Sequence, residues 1–133
     1  MLKDRAKDYF EQQDFNCAET ALRAIRDEYS LDISDDDLKL VSAFGGGMGC
    51  GKTCGALCGC LAAYGKMTVH ERAHEDKRFG SRCKALCDGF ADKLGSTQCA
   101  EIRMLHKNDW SGCLKTVELG LEAFEEFLNS RNR

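Results

Sequence analysis

Proline is absent from this chain of 133 residues, so no position in it is barred from a helix by a fixed φ and a missing N–H. Long apolar runs are absent as well, and none reaches the length of a membrane span. The opening residues, Met1 to Asp8, mix acids with bases around no apolar core, which excludes the layout of a signal peptide. There is no surplus of positive charge. The net charge is −3, with 19 Lys and Arg against 22 Asp and Glu, so the basic footprint of a nucleic-acid binder is missing. No two cysteines stand in a CxxC pair. The tight pairs typical of zinc ribbons and ferredoxins are therefore missing too. With no export signal, we expect a cytoplasmic, non-membrane protein whose thiols are kept reduced.

What the chain has in excess is sulfur: nine cysteines in 133 residues. An odd number cannot pair completely within one chain. In a reducing compartment, such clusters are more often metal ligands or redox groups. The plain alternative is small apolar packing. It suits Cys58 and Cys60 best, and it competes evenly with chemistry at Cys50, Cys83 and Cys87.

The patterning is helical throughout. Leu2, Ala6, Tyr9, Phe10 and Gln13 share one side of a first helix. Asn16 reads as an N-cap with Glu19 completing a capping box. Cys17 then becomes the first residue of a helix carrying Ala18, Ala21, Leu22, Ile25 and Tyr29. Ser34 reads as the next cap, with Asp35, Asp36 and Asp37 in the first turn and an apolar stripe at Leu38, Val41 and Phe44. Gly45 should stop that helix. Thr53 is expected to cap a helix that starts at Cys54 and ends near Tyr64, ahead of Gly65. That helix is small or apolar on every side, from Gly55, Ala56 and Leu57 through Gly59 to Leu61, Ala62 and Ala63, which places it centrally. Residues 66–94 suggest one or two helices with Phe79, Leu86, Phe90 and Leu94 inward. Ser96 or Thr97 caps a short helix with Cys99, Ile102, Met104 and Leu105. A loop with Asn108 and Asp109 leads to Ser111, which is expected to cap a last helix with Cys113 in its first turn. Its stripe is Leu114, Val117, Leu121, Phe124 and Leu128. The tail after Asn129 is expected to fray.

Two literal motifs lack their required context. Gly46 to Thr53 spells the phosphate-loop pattern GxxxxGKT, but that pattern works between a strand and a helix of a parallel sheet. Here a helical segment precedes it and no parallel strands are visible. The glycines retain a smaller role, since successive N–H groups can cradle an anion or surround a cluster. His70-Glu71-Arg72-Ala73-His74 spells HExxH, yet charged neighbours mark a solvated face and no third zinc ligand is near. A weaker site using His70, His74 and Cys83 or Cys87 is the remaining metal option there, and two exposed histidines is the simpler account.

The constellation that carries chemistry is Cys17, Cys54, Cys99 and Cys113, each placed in the first turn of its own helix. Orphan N–H groups and the positive dipole end favour a thiolate there, by about 0.3–1 kcal/mol per helix, or up to about one pKa unit when partly buried. If the four ends converge, two outcomes follow. A pair of low-pKa thiols can cycle between dithiol and disulfide. Alternatively, four thiolates can hold zinc or an iron–sulfur cluster. Cys50, Cys54 and Cys58, spaced four apart, and Cys83 with Cys87 add candidate resolving thiols or replacement ligands. A third reading has all four cysteines only packing in a helical interaction module.

These residues resemble the C_GCAxxG_C_C family, whose members are described as redox-active on the strength of their cysteines. The likeness runs through Phe15-Asn16-Cys17-Ala18-Glu19, Ala43 to Gly49, Cys54-Gly55-Ala56-Leu57-Cys58-Gly59, Leu94-Gly95-Ser96 with Cys99, and Cys113 ahead of Val117. It implies that Cys17, Cys54, Cys99 and Cys113 are the signature cysteines, and that CGAxxG falls on Cys54, Gly55, Ala56 and Gly59. It also implies a redox partner linked to a membrane transporter system, while naming no substrate, and leaves oxidoreductase activity and homo-oligomerisation open. Cys50, Cys58, Cys60, Cys83 and Cys87 are additions to that pattern. The expectation is thus one all-α cysteine-rich redox domain over residues 1–133, a compact bundle of about six helices around a central small-residue helix. Gly45, Gly46, Gly47, Gly49, Gly55 and Gly59 are its candidate cofactor-binding glycines.

Overall fold

In the computed structural model, residues 2–106 and 112–131 are described. They form five α-helices, α1 (Cys17–Tyr29), α2 (Gly55–Thr68), α3 (Phe79–Leu94), α4 (Cys99–His106) and α5 (Leu114–Arg131), with an eight-residue 3-10 helix at Asp37–Phe44. Shorter helical turns at Leu2–Arg5 and Asp8–Gln12 make up the first segment. The described residues include no extended strand; Thr53 and Gln98 form an isolated antiparallel bridge. None of these helices is long and apolar enough to cross a membrane.

α2 is central, as its composition demands. It packs against α1, α3 and α5, with Ala56, Leu57, Cys60, Ala63 and Tyr64 all buried. Its approach to α1 is set by glycine. A Cβ on Gly55 would lie 2.5 Å from Cys17 Sγ, and one on Gly59 would lie 2.7 Å from the Ala18 carbonyl. Leu22, Ile25, Leu86, Phe90, Leu121 and Phe124 fill the core around this contact. Tyr64 closes one end, stacked on Phe79 at 5.9 Å and edge-on to Phe127 at 5.2 Å.

The capping box at α1 is formed in both directions, Glu19 N–H to Asn16 Oδ1 at 3.0 Å and Asn16 N–H to Glu19 Oε1 at 3.0 Å. Ser34 Oγ accepts from Asp37 N–H at 3.0 Å. The segment it caps is a 3-10 helix that begins at Asp37, and Asp35, expected in its first turn, pairs with Arg26 Nη1 at 2.7 Å. Two expectations for α2 are corrected. Cys54, not Thr53, is the N-cap residue; Thr53 instead sits in a bridge opposite Gln98, closed by the bonds of Cys54 N–H and Cys99 N–H. The helix also runs past Tyr64 to Thr68: Gly65 stays helical, and Val69 N–H reaches its carbonyl at 2.9 Å. The HExxH stretch is not a continuous helix. Glu75 gathers the N–H groups of His70, Glu71 and Arg72 at 2.9, 2.9 and 3.0 Å, leaving both histidines exposed. The expected cap Ser111 and the loop with Asn108 and Asp109 lie outside the described residues.

The glycine loop between the 3-10 helix and α2 needs left-handed backbone at Gly46, Gly47, Met48, Gly49 and Gly51. It is bonded to the start of α4: Cys99 N–H donates to the Lys52 carbonyl at 2.6 Å, and Cys54 N–H to the Thr97 carbonyl at 2.7 Å. The loop thus ties together the starts of α2 and α4.

Candidate functional site

Four helix starts converge. Cys17 is the first residue of α1 and Cys99 the first of α4. Cys54 is the N-cap of α2. Cys113 directly precedes α5, with its carbonyl accepting from Val117 N–H at 3.1 Å. All four border one cavity of about 310 Å³, at the small end of the range for ligand pockets. Cys17, Cys54 and Cys99 are 9%, 3% and 6% exposed, and Cys113 is half-buried. All nine cysteines are free thiols. Among the described residues, no three His, Cys, Asp or Glu side chains stand close enough together to hold a metal ion. The quartet therefore shares a cavity without forming a closed thiolate cage, and the option at His70, His74, Cys83 and Cys87 is not assembled either.

Cys99 and Cys113 lie near enough to Cys17, and Cys17 and Cys99 near enough to Cys54, that a charge on one sulfur disfavours a charge on the next. The electrostatics correct the expectation of acidic thiols at Cys17 and Cys54. Burial pushes Cys54 up to about 12, and the N–H groups of Leu57 and Ala56 only partly oppose it. Burial also raises Cys17, against donation from the Gly46 and Ala18 N–H groups. The helix starts do supply donors, but a sulfur with so little water around it pays a larger desolvation penalty than one turn of backbone returns.

The glycines singled out from sequence have packing duties. Besides Gly55 and Gly59 on α1, a Cβ on Gly45 would strike Asn16 Nδ2 at 2.4 Å, and one on Gly47 would meet Lys52 N at 2.5 Å and Cys99 Cβ at 2.8 Å. Gly46 borders the cavity. Gly49 is left-handed, with open space where a Cβ would sit. Cys60 is fully buried with Sγ 3.9 Å from the Gly120 carbonyl, which fits the packing account. Cys50 is exposed, and Cys83 and Cys87 lie against the core on one face of α3.

The rest of the wall is Phe10, Phe15, Asn16 and Ile102, read from sequence only as packing, motif or capping residues, with Asp14, Arg103 and Thr116, which sequence reasoning did not single out. A signal was there. Ile102 and Arg103 lie three and four residues after Cys99, and Thr116 lies three after Cys113, so helical spacing turns each toward the side of its cysteine. Thr116 is 3% exposed, and among the described residues its Oγ1 has no hydrogen-bond partner.

An all-helical, cysteine-rich fold that gathers thiols from four helix starts around one cavity defines the class. Within it, the chain belongs to the family described as "Putative redox-active protein (C_GCAxxG_C_C)", whose model matches residues 15–127 and so spans all four converging cysteines. No curated protein and no solved structure matches the chain.

Proposed function

We propose that this protein is a cytoplasmic thiol redox protein, built as a single domain over residues 1–133, that cycles between dithiol and disulfide within the cysteine-lined cavity. The single observation behind this reading is that Cys17, Cys54, Cys99 and Cys113 border one cavity. Two thiols give up two electrons and two protons as one disulfide forms, with Cys17 as the common member of the pair. Cys113, the most open of the four, is the sulfur an incoming oxidant meets first. Zinc or an iron–sulfur cluster on the same four residues is the alternative chemistry of this donor set. The dithiol reading is preferred because no three of the described thiols are close enough to share an ion.

Redox titration with thiol trapping and mass spectrometry tests it. A two-electron transition that forms a disulfide including Cys17, and that Cys17→Ser abolishes, is the expected result. The same four cysteines staying reduced at every potential in the folded protein would overturn the reading. So would a metal co-purifying under anaerobic conditions and lost on Cys54→Ser.

A further inference from the structure

The cavity has a polar feature that thiol pairing does not explain. Thr116, which borders it, is buried, and its Oγ1 has no hydrogen-bond partner among the described residues, a desolvated hydroxyl left uncompensated. Arg103, also on the wall, differs from every other arginine whose side chain is described: Arg5, Arg23, Arg26, Arg72, Arg78 and Arg82 each have a carboxylate partner, and Arg103 has none among the described residues. The remaining wall is mostly apolar, from Phe10, Phe15 and Ile102. At about 30 Å³ per water, the volume of about 310 Å³ suits a small organic molecule. Three of the four sulfurs are less than a tenth exposed, which leaves Cys113 as the one an entering molecule meets first.

We propose that the cavity receives a small organic disulfide bearing a carboxylate, with that carboxylate on Thr116 Oγ1 and the Arg103 guanidinium and its sulfur–sulfur bond beside Cys113 and Cys17. This rests on the dithiol reading above and adds its substrate class. Cys113, as thiolate, attacks one ligand sulfur. The ligand S–S bond breaks, and the first small thiolate leaves and takes a proton. Cys17, after losing its proton, attacks the mixed disulfide at Cys113 and expels the second small thiol. The protein ends as one disulfide, oxidised by two electrons, and the ligand ends as two thiols, reduced by two. Asp14 also borders the cavity, so a cationic ligand is the competing assignment, and the test includes one.

Two arms separate this inference from the redox reading beneath it. In the first, the reduced full chain is titrated with adipate, which has the shape and charges of dithiodiglycolate but no sulfur. Hexane-1,6-diamine serves as the cationic counterpart, and both titrations are followed by NMR. Adipate should shift the resonances of Thr116 and Arg103, the diamine should not, and Arg103→Glu or Thr116→Val should each weaken adipate binding about tenfold or more. In the second arm, oxidation by dithiodiglycolate and by cystamine is measured, each normalised to its rate with a free small thiol. Dithiodiglycolate should be favoured about tenfold or more, and Arg103→Glu should reverse the preference. No adipate binding alongside a normal redox titration overturns the ligand assignment and leaves the dithiol reading standing. Adipate binding with no exchange overturns the disulfide chemistry. A preference for cystamine overturns the role of Arg103.

Discussion

At the scale of single residues, what matters is which sulfurs meet water. Cys54 is almost fully covered and its pKa is pushed up to about 12. Cys17 is raised by the same cause. Because the thiolate is the reactive form, these two should resist alkylation at pH 7.5. Cys50, which is exposed, should react first, followed by Cys113. Timed iodoacetamide labelling of the reduced protein, read by peptide mass spectrometry, should show Cys50 and Cys113 modified at least tenfold faster than Cys17 and Cys54. The Cys54 rate should keep rising through pH 10. A plateau near neutral pH at Cys54 would mean that backbone donors outweigh burial after all. That Cys17 opens its helix was readable from sequence, because the N-cap Asn16 fixes where it falls. Its acidity was not. Spacing shows which N–H groups are near a sulfur but not how much water the neighbouring helices remove.

At the scale of elements, the crossing of α1 and α2 determines how close the sulfurs come, and glycine determines the crossing. Gly→Ala in a helix interior normally gains about 1 kcal/mol in propensity. At Gly59 the new methyl would sit 2.7 Å from the Ala18 carbonyl and 2.9 Å from Ala21 Cβ, both backed by packed helix. Overpacking of this kind costs about 1–3 kcal/mol, so Gly59→Ala should lower stability despite the propensity gain. Gly89, in α3, has nothing within 4 Å of its missing Cβ. Gly89→Ala should therefore raise stability by about 0.5–1 kcal/mol. Urea denaturation of both variants checks the pair, and equal signs would refute the crossing as the reason for Gly59. Asn16→Ala is a third case. It removes the cap on Glu19 N–H and the bond from Asn16 Nδ2 to the Ser42 carbonyl at 2.9 Å. A loss of about 1–2 kcal/mol is expected for the cap alone. The central place of α2 was legible because Gly55, Ala56, Gly59 and Ala63 leave it no polar face. Its far end was not, because Gly65 resembles a stop signal and only the surrounding packing keeps it helical. The bridge that sets Thr53 opposite Gln98 likewise spans 45 positions, and no local pattern reports it.

At the scale of the whole molecule, the buried thiols make the fold sensitive to alkali. Cys17, Cys54, Cys58 and Cys60 all have pKa values raised above 9.0 in the folded state, with burial the largest cause at each. Unfolding returns them toward that ordinary value. Between the unfolded and folded values the native state holds more protons than the unfolded one, so stability falls as pH rises. Below pH 9 both states are protonated and the contribution is complete. Above it the contribution drains away, for Cys54 up to about pH 12. Tyr9, Tyr29, Lys3, Lys84 and Lys93 are also raised, but from ordinary values of 10.0 and 10.5. They extend the same trend at higher pH, which leaves the interval from about 9 to 10 to the sulfurs. Urea midpoints of the reduced protein should thus be nearly flat from pH 7 to 8.5 and decline from pH 9. Cys60→Ala separates burial from redox chemistry, because Cys60 is fully buried among α2 and α5 and lies off the cavity. That variant should be less stable at pH 7, since it leaves a small void. Its stability should then fall less steeply than wild type between pH 9 and 10, so that the two curves converge. Parallel curves would mean that the Cys60 thiol ionises as readily in the folded chain as in the unfolded one, and the burial argument for the cavity cysteines would fail with it.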